Sequence, residues 1–393
     1  MMRLVSVVLF SLFALPCLAQ RSTPVQLLHP SGAANDNFGG SVAVSGDTMI
    51  VGAYGDTVGV SASQGSVHVF RWTGSGWTFE ATLTASDGAS GDRFGIAAAV
   101  AGDTIVVGAY NDDIGSNSDQ GAVYIFTRSG NTWTQQTKLT AADGAGGDSF
   151  GNSVSISGDT VVVGSIGDDI GAFTNQGSAY VFTRSGSTWV QRAKLIASDG
   201  AGADNFGNAV SISGDTVVVG AFVDDAGSNA DQGSAYVFTR SGGTWVQDAK
   251  LNATDGAGND YFGSSVCISG ETIVVGAVND DIGTNTDQGS TYVFVRSGAS
   301  WVQQAKLVAP DGDRFDNFGR SVSISADTVI VGVSGDDEGS ISGQGSAYVF
   351  TRAGTAWSQQ TKLFAPGGAG GDNLGNSVSI SGDTAVVGAY FDD

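Results

Sequence analysis

FGNSVSISGDTVVVG, residues Phe150 to Gly164, decides the fold. Valine and isoleucine alternate with small polar residues up to Ser157, a Gly158-Asp159 turn follows, and a second β-branched run opens at Thr160. Period-two alternation interrupted by a two-residue turn predicts a pair of short strands. The next strands of the same unit are Ala179-Tyr180-Val181-Phe182 and Trp189 to Leu195, again bounded by Gly, Ser and Asp.

Working outward, the unit recurs. Phe-Gly stands at Phe38, Phe94, Phe150, Phe206, Phe262 and Phe318, with Leu374-Gly375 in the same place, and every interval is 56 residues. Gly52, Gly108, Gly164, Gly220, Gly276, Gly332 and Gly388 keep that step, as do Trp77, Trp133, Trp189, Trp245, Trp301 and Trp357. The tryptophans, fixed in one slot, read as core packing between neighbouring units or against the neighbouring hairpin. The 60 glycines against five prolines therefore mark turns at fixed places instead of disorder. Four strands per unit and about seven units predict an all-β, seven-bladed β-propeller, since a solenoid would need shorter repeats.

These units resemble the FG-GAP repeat, the blade of the integrin α-subunit head and of bacterial surface proteins. In the second unit the resemblance rests on Phe94-Gly95, Gly102-Asp103-Thr104, Val106-Val107-Gly108-Ala109 and Gly121 to Phe126. It extends over residues 24–393 and implies a propeller used for extracellular recognition. Integrin-type blades hold calcium in an Asp-x-Asp-x-Asp-Gly loop between strands one and two. Here that loop has shrunk to Ser157-Gly158-Asp159-Thr160, so those ligands do not carry over.

The final unit is incomplete. Asp393 aligns with Asp113 and Asp337, which leaves the third strand of the last blade absent. Pro24 to Leu28 aligns with a fourth strand, Leu27 matching Leu139, and is expected to close the ring against the last blade. An open strand edge is a liability, which favours a chain continuing beyond this sequence over a three-stranded closing blade.

At the N-terminus, Arg3, an apolar run from Leu4 to Leu15 and Cys17-Leu18-Ala19 read as a secretory leader, residues 1–19, cleaved before Gln20. The run is too short for a membrane span. A lipoprotein reading would use Cys17, but Pro16 stands where a small residue is wanted. The remaining domain, residues 20–393, keeps only Cys267, so no internal disulfide supports it. A net charge of −22 argues against nucleic acid as partner.

The charge is predicted to gather on one face. In an up-and-down blade the loop before strand one and the loop between strands two and three emerge together. They carry Asp87, Asp92, Asp112, Asp113 and Asp119 in the second unit, and Asp199, Asp204, Asp224, Asp225 and Asp231 in the fourth. The fifth has Asp255, Asp260, Asp280, Asp281 and Asp287. With Asp168, Asp169, Asp336 and Asp337, the acids of the second loops are the candidate ligands for Ca2+, or for a cationic partner. The competing reading is that these side chains cap their own tight turns.

Enzyme motifs fail on inspection. Gly147-Asp148-Ser149-Phe150-Gly151 fits a nucleophile elbow, yet Ser149 fills the slot of Arg93, Asn205, Tyr261 and Asn317, and both histidines, His29 and His68, lie upstream. Thr127 to Trp133 shares a turn with the sialidase Asp-box but has Arg128 where the aspartate belongs. Gly144 to Asp148 echoes a calcium nonapeptide without its nine-residue period. Pairs such as Asp112-Asp113 recur in blade after blade, whereas a catalytic site breaks symmetry. The one irregular acid–base cluster is Asp311, Asp313, Arg314, Asp316 and Arg320, with Glu338. The expectation is a non-enzymatic extracellular module recognising a protein or glycan. An exported carbohydrate-active enzyme and a surface-display array are the alternatives.

Overall fold

The computed structural model describes residues 6–11, 25–30, 32–33 and 35–391. All regular structure among them is strand, and no helix is long and apolar enough to cross a membrane. Each repeat from Phe38 to Leu363 folds into one four-stranded antiparallel sheet in chain order. In the third blade the strands are Phe150–Ser157, Thr160–Ser165, Ser178–Ser185 and Thr188–Leu195. Six blades are thus made of contiguous chain, short of the seven expected from counting repeats.

The chain's two ends build a further sheet. Its inner strands are Leu374–Ser381 and Thr384–Ala389, and its outermost is Val25–Leu28, as the Leu27 alignment predicts. Its third position is not vacant, as expected from the sequence, but held by Ser6–Ser11. The physical reason is an unpaired edge meeting a matching strand: Phe10 pairs with Ala385 where Phe182 pairs with Val161, and Val7 with Gly388 where Ala179 pairs with Gly164. The rest of the expected leader lies outside the described residues.

The core lies between blades. One cluster joins Val106, Val123 and Ile125 of the second blade to Phe150, Val161, Val163, Tyr180 and Phe182 of the third. The Phe of Phe-Gly is fully buried from Phe38 to Phe318, each contributing roughly 1.5–3 kcal/mol by leaving water. In the second to fifth blades it meets the blade's Tyr edge-on, Phe150 and Tyr180 having ring centres 5.4 Å apart. The following glycine is at φ +95° in Gly151, a backbone state that side chains resist.

Small residues set the spacing between blades. Ser153 Oγ donates to Gly207 O at 2.8 Å, and Ser377 Oγ donates to Gly39 O at 2.7 Å, so the same contact closes the circle. The loop after strand two binds the loop leading into the next blade: the N–H of Phe150 donates to Gln120 O and that of Phe94 to Gln64 O. The tryptophans sit on the blade boundary, as their fixed slot implied. Trp189 Nε1 donates to Gln136 of the preceding blade at 3.1 Å, and Arg184 stacks over its ring.

Candidate functional site

The two faces of the disc differ in charge balance, and local pairing explains why. On the face carrying the Gly158-Asp159 type of turn, the turn acids of five blades each have an arginine from strand three, while Arg296 of the fifth blade pairs with Asp248. Arg128 reaches Asp103, Arg184 reaches Asp159 and Arg352 reaches Asp327, at 2.5–2.6 Å. Those charges cancel. The opposite face holds the candidate ligand acids, in two layers that behave differently.

The inner acids are structural. Asp112, Asp168, Asp224, Asp280 and Asp336 are buried, each 2.7–2.8 Å from the ammonium of Lys138, Lys194, Lys250, Lys306 or Lys362. Each lysine also reaches a second acid, as Lys138 reaches Asp87 at 2.9 Å, and lies over a tyrosine ring, 5.2 Å from the centre of Tyr124. Tyr124 donates to both Asp87 and Asp112. Burial works to raise Asp87, and hydrogen bonds from Lys138 and Tyr124 overcome it, holding the carboxyl below its usual value. Burial together with these carboxylate neighbours pushes the Tyr124 hydroxyl far up.

The outer acids cap turns. One carboxylate oxygen each of Asp113, Asp169, Asp225, Asp281 and Asp337 accepts the N–H of the residue six places on, at 2.7–2.9 Å. Asp119, Asp231 and Asp287 supply that N–H and adopt φ near +52°. These outer side chains leave oxygen facing solvent, whereas the inner ones are enclosed by lysine and tyrosine. A third set, Asp92, Asp148, Asp204, Asp260, Asp316 and Asp372, is buried and accepts the N–H three residues earlier. Burial raises Asp204, Asp260 and Asp316 to about 6.

The irregular cluster of the sixth blade is dispersed. Asp311 and Glu338 both face Lys362, Asp316 accepts from the N–H of Asp313, Arg314 donates to Thr284 O, and Arg320 donates to Asn376. Ser149 is half-buried at φ +54°, its hydroxyl directed at Gly147 O.

Two features escaped sequence reasoning. The first is the channel mouth on the acidic face, a cavity of about 470 Å³ whose lining includes Asn208, Phe222, Tyr261, Asn317, Arg320, Asn376 and Tyr390. These residues flank the Phe-Gly pairs or follow strand two, and they differ from blade to blade. Phe222 and Tyr261 meet edge-on at 5.5 Å. Further round the mouth, Arg93 lies over Tyr54 and Tyr110 at about 6 Å.

The second is in the first blade. Among the described residues, one group of three His, Cys, Asp or Glu side chains brings its ligand atoms within 4.8 Å of one another: His29, Asp56 and His68. The signal was present in the register. His29 fills the slot of Ala85 and Ala141, and His68 that of Tyr124 and Tyr180, so the chain's two histidines are both departures from the repeat.

A family model described as FG-GAP repeat matches residues 24–70, 77–126, 133–182, 189–238, 245–294, 301–350 and 357–393. No curated protein matches the chain.

Proposed function

Because the chain belongs to the FG-GAP repeat family, we propose that it is a non-enzymatic module exported to the cell surface or beyond, holding a protein or glycan partner on the acidic face. One observation carries this reading: the frame repeats almost without change while the channel mouth does not. The residue before Phe-Gly runs Asn37, Arg93, Ser149, Asn205, Tyr261, Asn317, and the one after it Gly40, Ile96, Asn152, Asn208, Ser264, Arg320. Frame positions are held by packing, so such variation is free to shape a binding surface. Aromatic faces beside amide and guanidinium donors suit a sugar or an exposed peptide loop.

Exposed apolar side chains on the same side support a macromolecular partner. Val60 and Phe173 lie in loops after strand two, and Phe315 in the loop leading into the sixth blade. Calcium enters this reading through the outer acids alone, because lysine ammonium groups already neutralise the inner ones. The ring is proposed to be seven-bladed. Export with cleavage near Ala19-Gln20 would take Ser6–Ser11 out of the closing sheet and open that position on Thr384–Ala389 to another strand.

Glycan arrays and capture of surface proteins with the purified chain test the proposal. Tyr261→Ala with Arg320→Ala should weaken binding at least about tenfold, the scale of one or two lost contacts, and leave the melting temperature unchanged. Turnover of a bound glycan would make the chain an enzyme. Binding that survives both substitutions would remove the mouth as the site.

A further inference from the structure

We propose that His29, Asp56 and His68 form a binding site for one zinc ion, built where the other blades carry a lysine. The repeat supplies the comparison. In the second to sixth blades a lysine ammonium occupies this place, held by two carboxylates and lying over a tyrosine ring. In the first blade the lysine slot is Thr82, the tyrosine slot is His68, the second acid's slot is Ser31, and only Asp56 keeps its carboxylate. The positive charge has gone from the position, the inner acid remains, and two imidazoles have arrived.

The three side chains bring their ligand atoms within 4.8 Å of one another. Both imidazole Nε2 atoms face the Asp56 side: that of His29 is 3.7 Å from Asp56 Oδ2, and that of His68 is bridged to Asp56 by the Ser66 hydroxyl, at 2.9 and 2.7 Å. Ligands around tetrahedral zinc sit roughly 3.3 Å apart, given metal–ligand bonds of about 2.0–2.1 Å. The His29–Asp56 pair is within a few tenths of an ångström of that spacing, all three ligand atoms lie within 4.8 Å of one another, and closing on the ion would leave Ser66 or a water in the fourth position. His68 Nδ1 lies 3.1 Å from Thr82 Oγ1. With a metal on Nε2 the ring proton would sit on Nδ1 and donate there, the orienting contact that ligating histidines ordinarily have.

Burial points the same way. The His29 side chain is 1% exposed and that of Asp56 18%, and His68 is 1% exposed. Two imidazoles and one carboxylate select zinc or its neighbours in the first transition row and reject calcium, which takes oxygen ligands. Phe38 packs edge-on against both rings, 5.3 Å from His29 and 5.5 Å from His68, so the site sits at the first blade's own Phe-Gly position. Zinc there would tie the segment after Val25–Leu28 to the first blade.

The test is metal content and cobalt spectroscopy on the full chain, stripped with chelator and dialysed against Zn2+ or Co2+. We expect about one zinc per chain, a tetrahedral cobalt absorption band, and a higher melting temperature with zinc than with chelator. His29→Ala and the pair His68→Tyr with Thr82→Lys install residues that the other blades already use, so both variants should fold. Each should lose the cobalt band and weaken zinc binding about 100-fold. Wild-type protein that takes up no stoichiometric zinc would overturn the proposal, and so would zinc binding of equal strength in His29→Ala. A folded wild type with bound iron or copper and no affinity for zinc would overturn the choice of metal.

Discussion

The Lys194 ammonium stands 2.7 Å from the buried Asp168 carboxylate, and the same pair recurs in five blades. Its place explains why the propeller carries so many acids near its interior. Lys194→Met keeps the alkyl packing over Tyr180 and removes the charge. That leaves Asp168 buried and uncompensated, which costs about 3 kcal/mol for a pair of this kind. Urea unfolding should show that loss, and Asp168→Asn added to Lys194→Met should recover part of it. A single variant within about 0.5 kcal/mol of wild type would show that the pair behaves as an exposed one.

Blade spacing gives a sharper contrast. A Cβ on Gly164 would lie 2.0 Å from the backbone carbonyl oxygen of Gly207 in the next blade and 2.3 Å from Ser153 Oγ, and the backbone clash cannot be relieved by a side chain moving aside. Gly164→Ala should therefore push the second strand of the third blade away from Gly207 of the fourth, costing about 3 kcal/mol as an overpacked core does. Gly158 has φ +56° and nothing within 4 Å of a Cβ. Gly158→Ala bears only backbone strain, about 1 kcal/mol. Thermal melts of the two variants side by side check the order; equal losses would mean that blade contact does not set the requirement for glycine.

The outer acids separate calcium binding from turn capping. Asp281→Asn keeps the oxygen that accepts the Asp287 N–H and discards the charge; Asp281→Ala discards both. With Asn at Asp113, Asp169, Asp225, Asp281 and Asp337, stability in chelator should change little. The rise in melting temperature produced by millimolar calcium, the range of extracellular sites, should vanish. If wild type itself shows no calcium-specific rise, the acids serve the turns alone.

Much of this was legible because a repeat copies its own evidence. Strand limits, the Phe-Gly turn and the closing role of Leu27 all follow from period and alternation, since identical units must bury identical faces. The acidic face was legible too, but the role of each acid was not. Asp112 and Asp113 are neighbours in sequence, yet one turns inward to Lys138 and the other outward to its own loop. Lys138 lies 26 residues from Asp112, and only the folded sheet brings them together. His29 and His68 were each readable as anomalies of register, but their meeting depends on the N-terminal segment docking beside the first blade. The third strand of the closing sheet was missed because a leader-like stretch was assigned to targeting, although its residues also fit a strand.

Stability against pH should record the buried acids. Asp204, Asp260 and Asp316 titrate near 6 in the folded chain, chiefly because burial disfavours their charge, and near 4 when unfolded. Between those values the folded state holds more protons than the unfolded state, so stability falls as pH rises from about 4 to about 6. Asp87, Asp143, Asp199, Asp255 and Asp311 act in the opposite sense, their stabilisation being lost only as pH falls below the ordinary carboxylate range. The two sets therefore pull the maximum to the acid side of neutrality. Asn at Asp204, Asp260 and Asp316 keeps an oxygen for the N–H groups of Ala201, Ala257 and Asp313. That triple variant should flatten the fall between pH 4 and 6 while leaving the acid limb in place. Melting temperatures measured from pH 3 to 8 decide it: an unchanged slope in the variant would mean that other groups carry the titration.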